Sequence, residues 1–126
     1  MSEILFRGQK ENGEWLYGDL VHYGDKILIF SENAQNSPDY YEVKPETVGQ
    51  FTGREDAYIN GTEVYDGDII ENCDTKALQI VYWNEDEAAW YCRYVEDEKR
   101  IVSLSDSLGN LNKVVGNIIE NPELLK

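Results

Sequence analysis

Asp66 and Asp68 flank Gly67 in the stretch Tyr65-Asp66-Gly67-Asp68-Ile69-Ile70. Two carboxylates set one residue apart could both reach one hard cation. A Mg²⁺ or Ca²⁺ site needs several more oxygens converging in space, and no EF-hand pattern surrounds this pair. The same residues fit a tight turn in which the Asp66 side chain caps the chain and Gly67 takes positive φ. The turn is the expected role, and cation binding by Asp66 and Asp68 is left open. The acidic stretches 85–87 and 96–98 are the other dense carboxylates, and both read as turns.

Nucleophilic catalysis asks for Ser or Cys beside His and an orienting acid. The chain has one histidine, His22, on a strand next to Tyr23-Gly24-Asp25, and it has no nucleophile elbow. Cys73 and Cys92 fall outside any CxxC spacing and make no zinc set with His22. They are expected as buried or half-buried thiols in a reducing compartment. Neither GxGxxG nor GxxxxGK[ST] occurs, so no phosphate cradle is read. No catalytic, cofactor-binding or metal residue is assigned, no cofactor is expected, and the chain is expected not to be an enzyme. Tyr82, Trp83, Trp90 and Tyr91 could stack single-stranded bases, but the interleaved Lys and Arg of such a groove are scarce. Cross-strand core and subunit contacts are their expected role.

The 126 residues include 11 Lys plus Arg against 25 Asp plus Glu, a net charge of −14. A field of that sign repels phosphate backbones and anionic membranes, which argues against direct nucleic-acid binding and membrane docking. It serves solubility, or it forms an acidic surface for a basic partner, including mimicry of a nucleic-acid backbone. No apolar run approaches the roughly 18 residues of a membrane helix. Met1-Ser2-Glu3-Ile4-Leu5-Phe6-Arg7 lacks the layout of a signal peptide, so a cytoplasmic location is expected. Asn60-Gly61-Thr62 fits a glycosylation acceptor, but without a secretory signal it reads as a turn.

Residues 3–9 and 15–21 read as a hairpin through Asn12-Gly13. The second strand is partly apolar on both faces, which places it between layers. Lys26–Phe30 is a near-continuous apolar strand, expected to be buried on both faces. Residues 31–39 read as a long mobile loop, Tyr40–Val43 as a strand, Pro45–Thr47 as one helical turn and 48–53 as a strand. Arg54–Tyr58 reads as a charged connector before the Asn60-Gly61 turn. Strands follow at 69–73, 78–83, 88–95, 100–104 and 113–119, with 105–110 as loop or one helical turn. Asn121 and Pro122 read as cap and first position of a last helical turn. About ten short strands and no long helix indicate a mostly β protein: one small antiparallel barrel or two, with an SH3-like second half. The length suits one domain over 1–126, with sub-halves about 1–53 and 54–126.

Five stretches together resemble a known family. They are Phe6-Arg7-Gly8; Gly13-Glu14-Trp15-Leu16-Tyr17-Gly18-Asp19-Leu20; Pro45-Glu46-Thr47-Val48-Gly49-Gln50-Phe51-Thr52-Gly53; Asn60-Gly61-Thr62-Glu63-Val64-Tyr65-Asp66-Gly67-Asp68-Ile69-Ile70; and the closing Val115 to Leu125. In this order they resemble the YopX family of phage and prophage proteins. The resemblance implies a small, mostly β protein of a bacterial cytoplasm with no established biochemical activity. Where the family pattern carries an aspartate-rich loop, this chain has Arg54-Glu55-Asp56-Ala57-Tyr58-Ile59. The expected function is that of a non-enzymatic phage accessory protein acting by protein contacts as a homo-oligomer. The alternative is an acidic inhibitor that mimics nucleic acid and binds a basic host or phage protein.

Overall fold

Gly13, at φ +92°, turns the chain between the first two strands of the computed structural model, which describes residues 5–31, 40–56 and 61–126. Asn12 supports the turn by accepting the Glu14 N–H at 3.0 Å. β1 (Phe6–Gln9) and β2 (Trp15–Tyr23) therefore pair antiparallel, with Gln9 opposite Trp15. β3 (Lys26–Ser31) continues the meander with Val21 opposite Leu28, and β4 (Tyr40–Glu42) follows with Phe30 opposite Tyr40. β5 (Gly49–Glu55) lies on the other side of β1. The chain enters β5 through a 3-10 turn at Pro45–Thr47. Proline suits the first position there because the N–H it lacks would have no helical partner. Thr47 Oγ1 accepts the Gln9 N–H at 2.8 Å and ties this turn to β1.

The chain divides into two compact units, residues 1–53 and 54–126. The first holds the strand order β4-β3-β2-β1-β5. β6 (Glu63–Tyr65) adjoins β5, whose last two residues, Arg54 and Glu55, belong to the second unit.

The second unit has its own antiparallel sheet of β7 (Asp68–Asn72), β8 (Leu78–Asn84), β9 (Ala89–Tyr94), β10 (Ile101–Ser103) and β11 (Asn112–Asn117). The order β10-β9-β8-β7-β11 is a meander whose last strand returns beside its first. Between β10 and β11 lies α1 (Leu104–Leu108), too short to persist alone. Ser103 caps it by accepting the Asp106 N–H at 3.2 Å, an interaction worth about 1 kcal/mol. Leu104 and Leu108 sink into a core with Val64, Ile70, Val81 and Cys92, each worth about 1.5–3 kcal/mol if fully buried. Burial therefore outweighs the cap in holding α1. A 3-10 turn at Pro122–Leu125 follows β11.

The mostly β expectation holds: eleven strands, one short helix and two antiparallel sheets are found among the described residues. No closed barrel is found among them; the sheets are open. β2 and β3 are not covered on both faces as their composition suggested. Ile29 is buried, but its neighbour Phe30 is 40% exposed, because the alternation of a strand sends them to opposite faces. Arg54 and Glu55 are strand residues, not a connector. Asp56 is buried, and its carboxylate accepts the Thr62 N–H at 3.0 Å and the Val114 N–H at 3.1 Å. Asn121 does not cap the last turn; its Oδ1 accepts the Asn117 N–H at the end of β11. The loop expected over 31–39 lies, from residue 32 on, outside the described residues, as does Asn60 of the second Asn-Gly turn.

Candidate functional site

Asp66 and Gly67 form the two-residue link between β6 and β7, and Gly67 has the expected positive φ of +86°. Asp68 closes this turn through its side chain. Asp68 is 1% exposed and accepts the Tyr65 N–H through Oδ2 at 2.7 Å, whereas Asp66 is exposed. Gly67 itself is held from both sides: its N–H donates to the Val81 carbonyl and its carbonyl accepts the Ile118 N–H, each at 3.0 Å. Backbone tied to β8 and to the residue after β11 makes the turn a structural junction. Among the described residues no three His, Cys, Asp or Glu side chains gather as metal ligands would.

His22 is exposed on β2. Cys73 is half-buried and Cys92 buried, and both are thiols, as expected. Burial pushes the Cys92 thiol up to about 11, partly offset by a hydrogen bond with Ser107, so it stays protonated at neutral pH. Trp83 and Trp90 face each other across β8 and β9 as an edge-on pair with ring centroids 5.2 Å apart. The expected aromatic ladder is present, with Trp90 packed on the core and Trp83 largely exposed.

Two concave features were not foreseen. The first is a cavity of about 470 Å³ in the second unit, at the end of the core under α1. Stepping two residues along each strand toward one end of the sheet replaces an apolar core residue by a polar one. Ile70 gives way to Asn72, Val81 to Gln79, Cys92 to Tyr94, Val102 to Arg100 and Val114 to Asn112. Ser107 of α1 joins them. Its Oγ donates to Gln79 Oε1 at 2.6 Å and accepts from Asn112 Nδ2 at 2.9 Å, and Asn112 Oδ1 accepts from Asn72 Nδ2 at 2.7 Å. The second feature is a groove of about 590 Å³ on the outer face of β2, β3 and β4, lined by Val21, Tyr23, Leu28, Phe30 and Tyr40 with Lys26 and Glu42.

The family model described as YopX protein matches residues 5–126. The chain belongs to the YopX family. No curated protein matches it. In this YopX chain, the stretches that carried the resemblance fall on β1, β2, the Pro45 turn with β5, the β6–β7 junction, and β11 with its closing turn. These stretches cover framework in both units. They include none of the cavity-lining residues and none of the groove residues, although the match as a whole spans both. No helix among the described residues is long and apolar enough to cross a membrane.

Proposed function

We propose that the protein is a phage or prophage accessory module that acts through protein contacts rather than catalysis, and that its partner is a second copy of itself. One observation carries this: the open aromatic face of β2, β3 and β4, where Tyr23 is 72%, Tyr40 49% and Phe30 40% exposed. An apolar face of this kind on an acidic chain calls for a cover. Lys26 and Glu42 lie 4.0 Å apart beside the groove. One cation next to one anion is self-complementary about a two-fold axis, so that Lys26 of one copy meets Glu42 of the other. β4 is an edge strand among the described residues, open to antiparallel pairing with its own copy. Family membership supports the phage origin. The engaged Asp68 and the protonated Cys92 support a role without catalysis, and the strand order with α1 before β11 supports an SH3-like reading of the second unit. The nucleic-acid mimic gains nothing comparable, since the acidic stretches 85–87 and 96–98 sit at opposite ends of β9.

Three strands at about 4.8 Å each and a strand length of about 20 Å give a face of roughly 300 Å², less than the roughly 800 Å² per partner of a standard interface. Association in the micromolar range is therefore expected. Sedimentation velocity over about 1–100 μM should show a monomer–dimer equilibrium. A Phe30→Ser, Tyr40→Ser double variant should remain monomeric with an unchanged circular dichroism spectrum. A wild-type protein that stays monomeric throughout that range overturns the proposal.

A further inference from the structure

The polar network under α1 has a direction, and one residue fixes it. Asn72 accepts two backbone N–H groups, those of Asp74 and Thr75, each at 2.9 Å. Only its oxygen can do so, and its Nδ2 must therefore face Asn112. Asn112 then presents Oδ1 to Asn72 and Nδ2 to Ser107. Ser107 is left to donate its single proton to Gln79 Oε1. The relay ends at Gln79 Nε2. Gln79 is 3% exposed and lines the cavity, and that nitrogen has no partner among the described residues. The nitrogen keeps contact with the cavity, where water or a ligand can accept from its two N–H donors.

Among the described residues two charged ones line the cavity, Asp74 and Arg100, and Arg100 is the one that can attract an anion. Arg100 lines it with the guanidinium carbon 4.1 Å from the centroid of the Tyr94 ring. In a chain with 25 Asp and Glu, Arg100 pairs with no carboxylate among the described residues. A guanidinium held over a ring leaves its forked donors for an oxyanion. The volume falls within the range of small-molecule sites.

We infer that the cavity binds a small organic oxyanion, a carboxylate or phosphate monoester, with its charged oxygens on Arg100 and a neutral acceptor such as a carbonyl on Gln79 Nε2. This site is separate from the groove of the first unit and does not depend on self-association.

Titration of the ¹⁵N-labelled full chain with 2-oxoglutarate, UMP and uridine tests it. At least one of the two anions should shift the Gln79 side-chain amide signals saturably, and which one does so separates carboxylate from phosphate. Uridine should bind more weakly than UMP. Arg100→Ala, at an exposed position outside the relay, should weaken binding by about tenfold or more. Gln79→Glu, of equal size but without the donors, should abolish binding; if that variant does not fold, Arg100→Ala decides. The inference is overturned if neither anion gives a saturable shift at Gln79 by about 10 mM, if Arg100→Ala binds as tightly as wild type, or if uridine matches a bound UMP.

Discussion

Replacing Gly67 by valine puts a branched side chain on backbone at φ +86°, with a Cβ that would lie 3.3 Å from Ile118 Cγ1. Relaxing that strain moves a peptide whose N–H and carbonyl are held by Val81 and Ile118. Gly67→Val is expected to unfold the protein, and Gly67→Ala to cost at least about 1–2 kcal/mol, both read from urea denaturation. At the next residue, Asp68→Ala removes the acceptor of a buried N–H and should cost about 1–3 kcal/mol. Asp68→Asn keeps an oxygen facing Tyr65 and should cost less. Cys92 gives a prediction with pH. Its folded-state pKa of about 11 lies above the 9.0 of an unperturbed thiol, so between these values the folded state holds a proton that the unfolded state has lost. Its contribution is complete below pH 9 and disappears as pH rises toward 11, a loss of roughly 2–3 kcal/mol. The fall in stability across that window should be shallower in Cys92→Val than in wild type.

At the scale of elements, the sequence displayed the strands, the Asn12-Gly13 and Asp66-Gly67 turns and the Pro45 turn, because each rests on local backbone preference. It did not display the cavity. Asn72, Gln79, Tyr94, Arg100 and Asn112 sit on or beside different strands, and each looks like an ordinary polar position until the register places them at one end of one face. The only signal was the same two-residue step from apolar to polar repeated in every strand of the sheet, which becomes visible once the pairing is known. The open face of β3 escaped for a different reason. An apolar run reports that both faces avoid water, not what covers the second one. Two variants test how these elements are held. Leu108→Ala should cost about 2–5 kcal/mol, more than Ser103→Ala at about 1 kcal/mol, because α1 depends on burial more than on its cap. In the β8–β9 turn, Ala88 has φ +51°. Ala88→Gly should raise the urea midpoint by relieving a left-handed conformation that costs about 1–2 kcal/mol, less what glycine loses in unfolded-chain entropy.

For the whole molecule, the net charge of −14 makes salt the variable that separates self-association from capture of a basic partner. Two copies meeting through the face of Phe30 and Tyr40 bring like charges together, so the long-range term opposes the dimer while apolar burial favours it. Added salt screens the repulsion over a Debye length that falls from about 30 Å at 0.01 M to about 8 Å at 0.15 M. The rim contact between Lys26 and Glu42 weakens over the same interval, but an exposed ion pair is worth at most about 1 kcal/mol. Dimerisation should therefore tighten as salt rises from low to physiological strength. An acidic mimic of nucleic acid behaves in the opposite way, since its attraction to a basic protein is what the salt screens. Sedimentation velocity at both ionic strengths reads the sign directly. Dimers that dissociate on adding salt would show that ion pairs, not the open β2–β4 face, hold the two copies together.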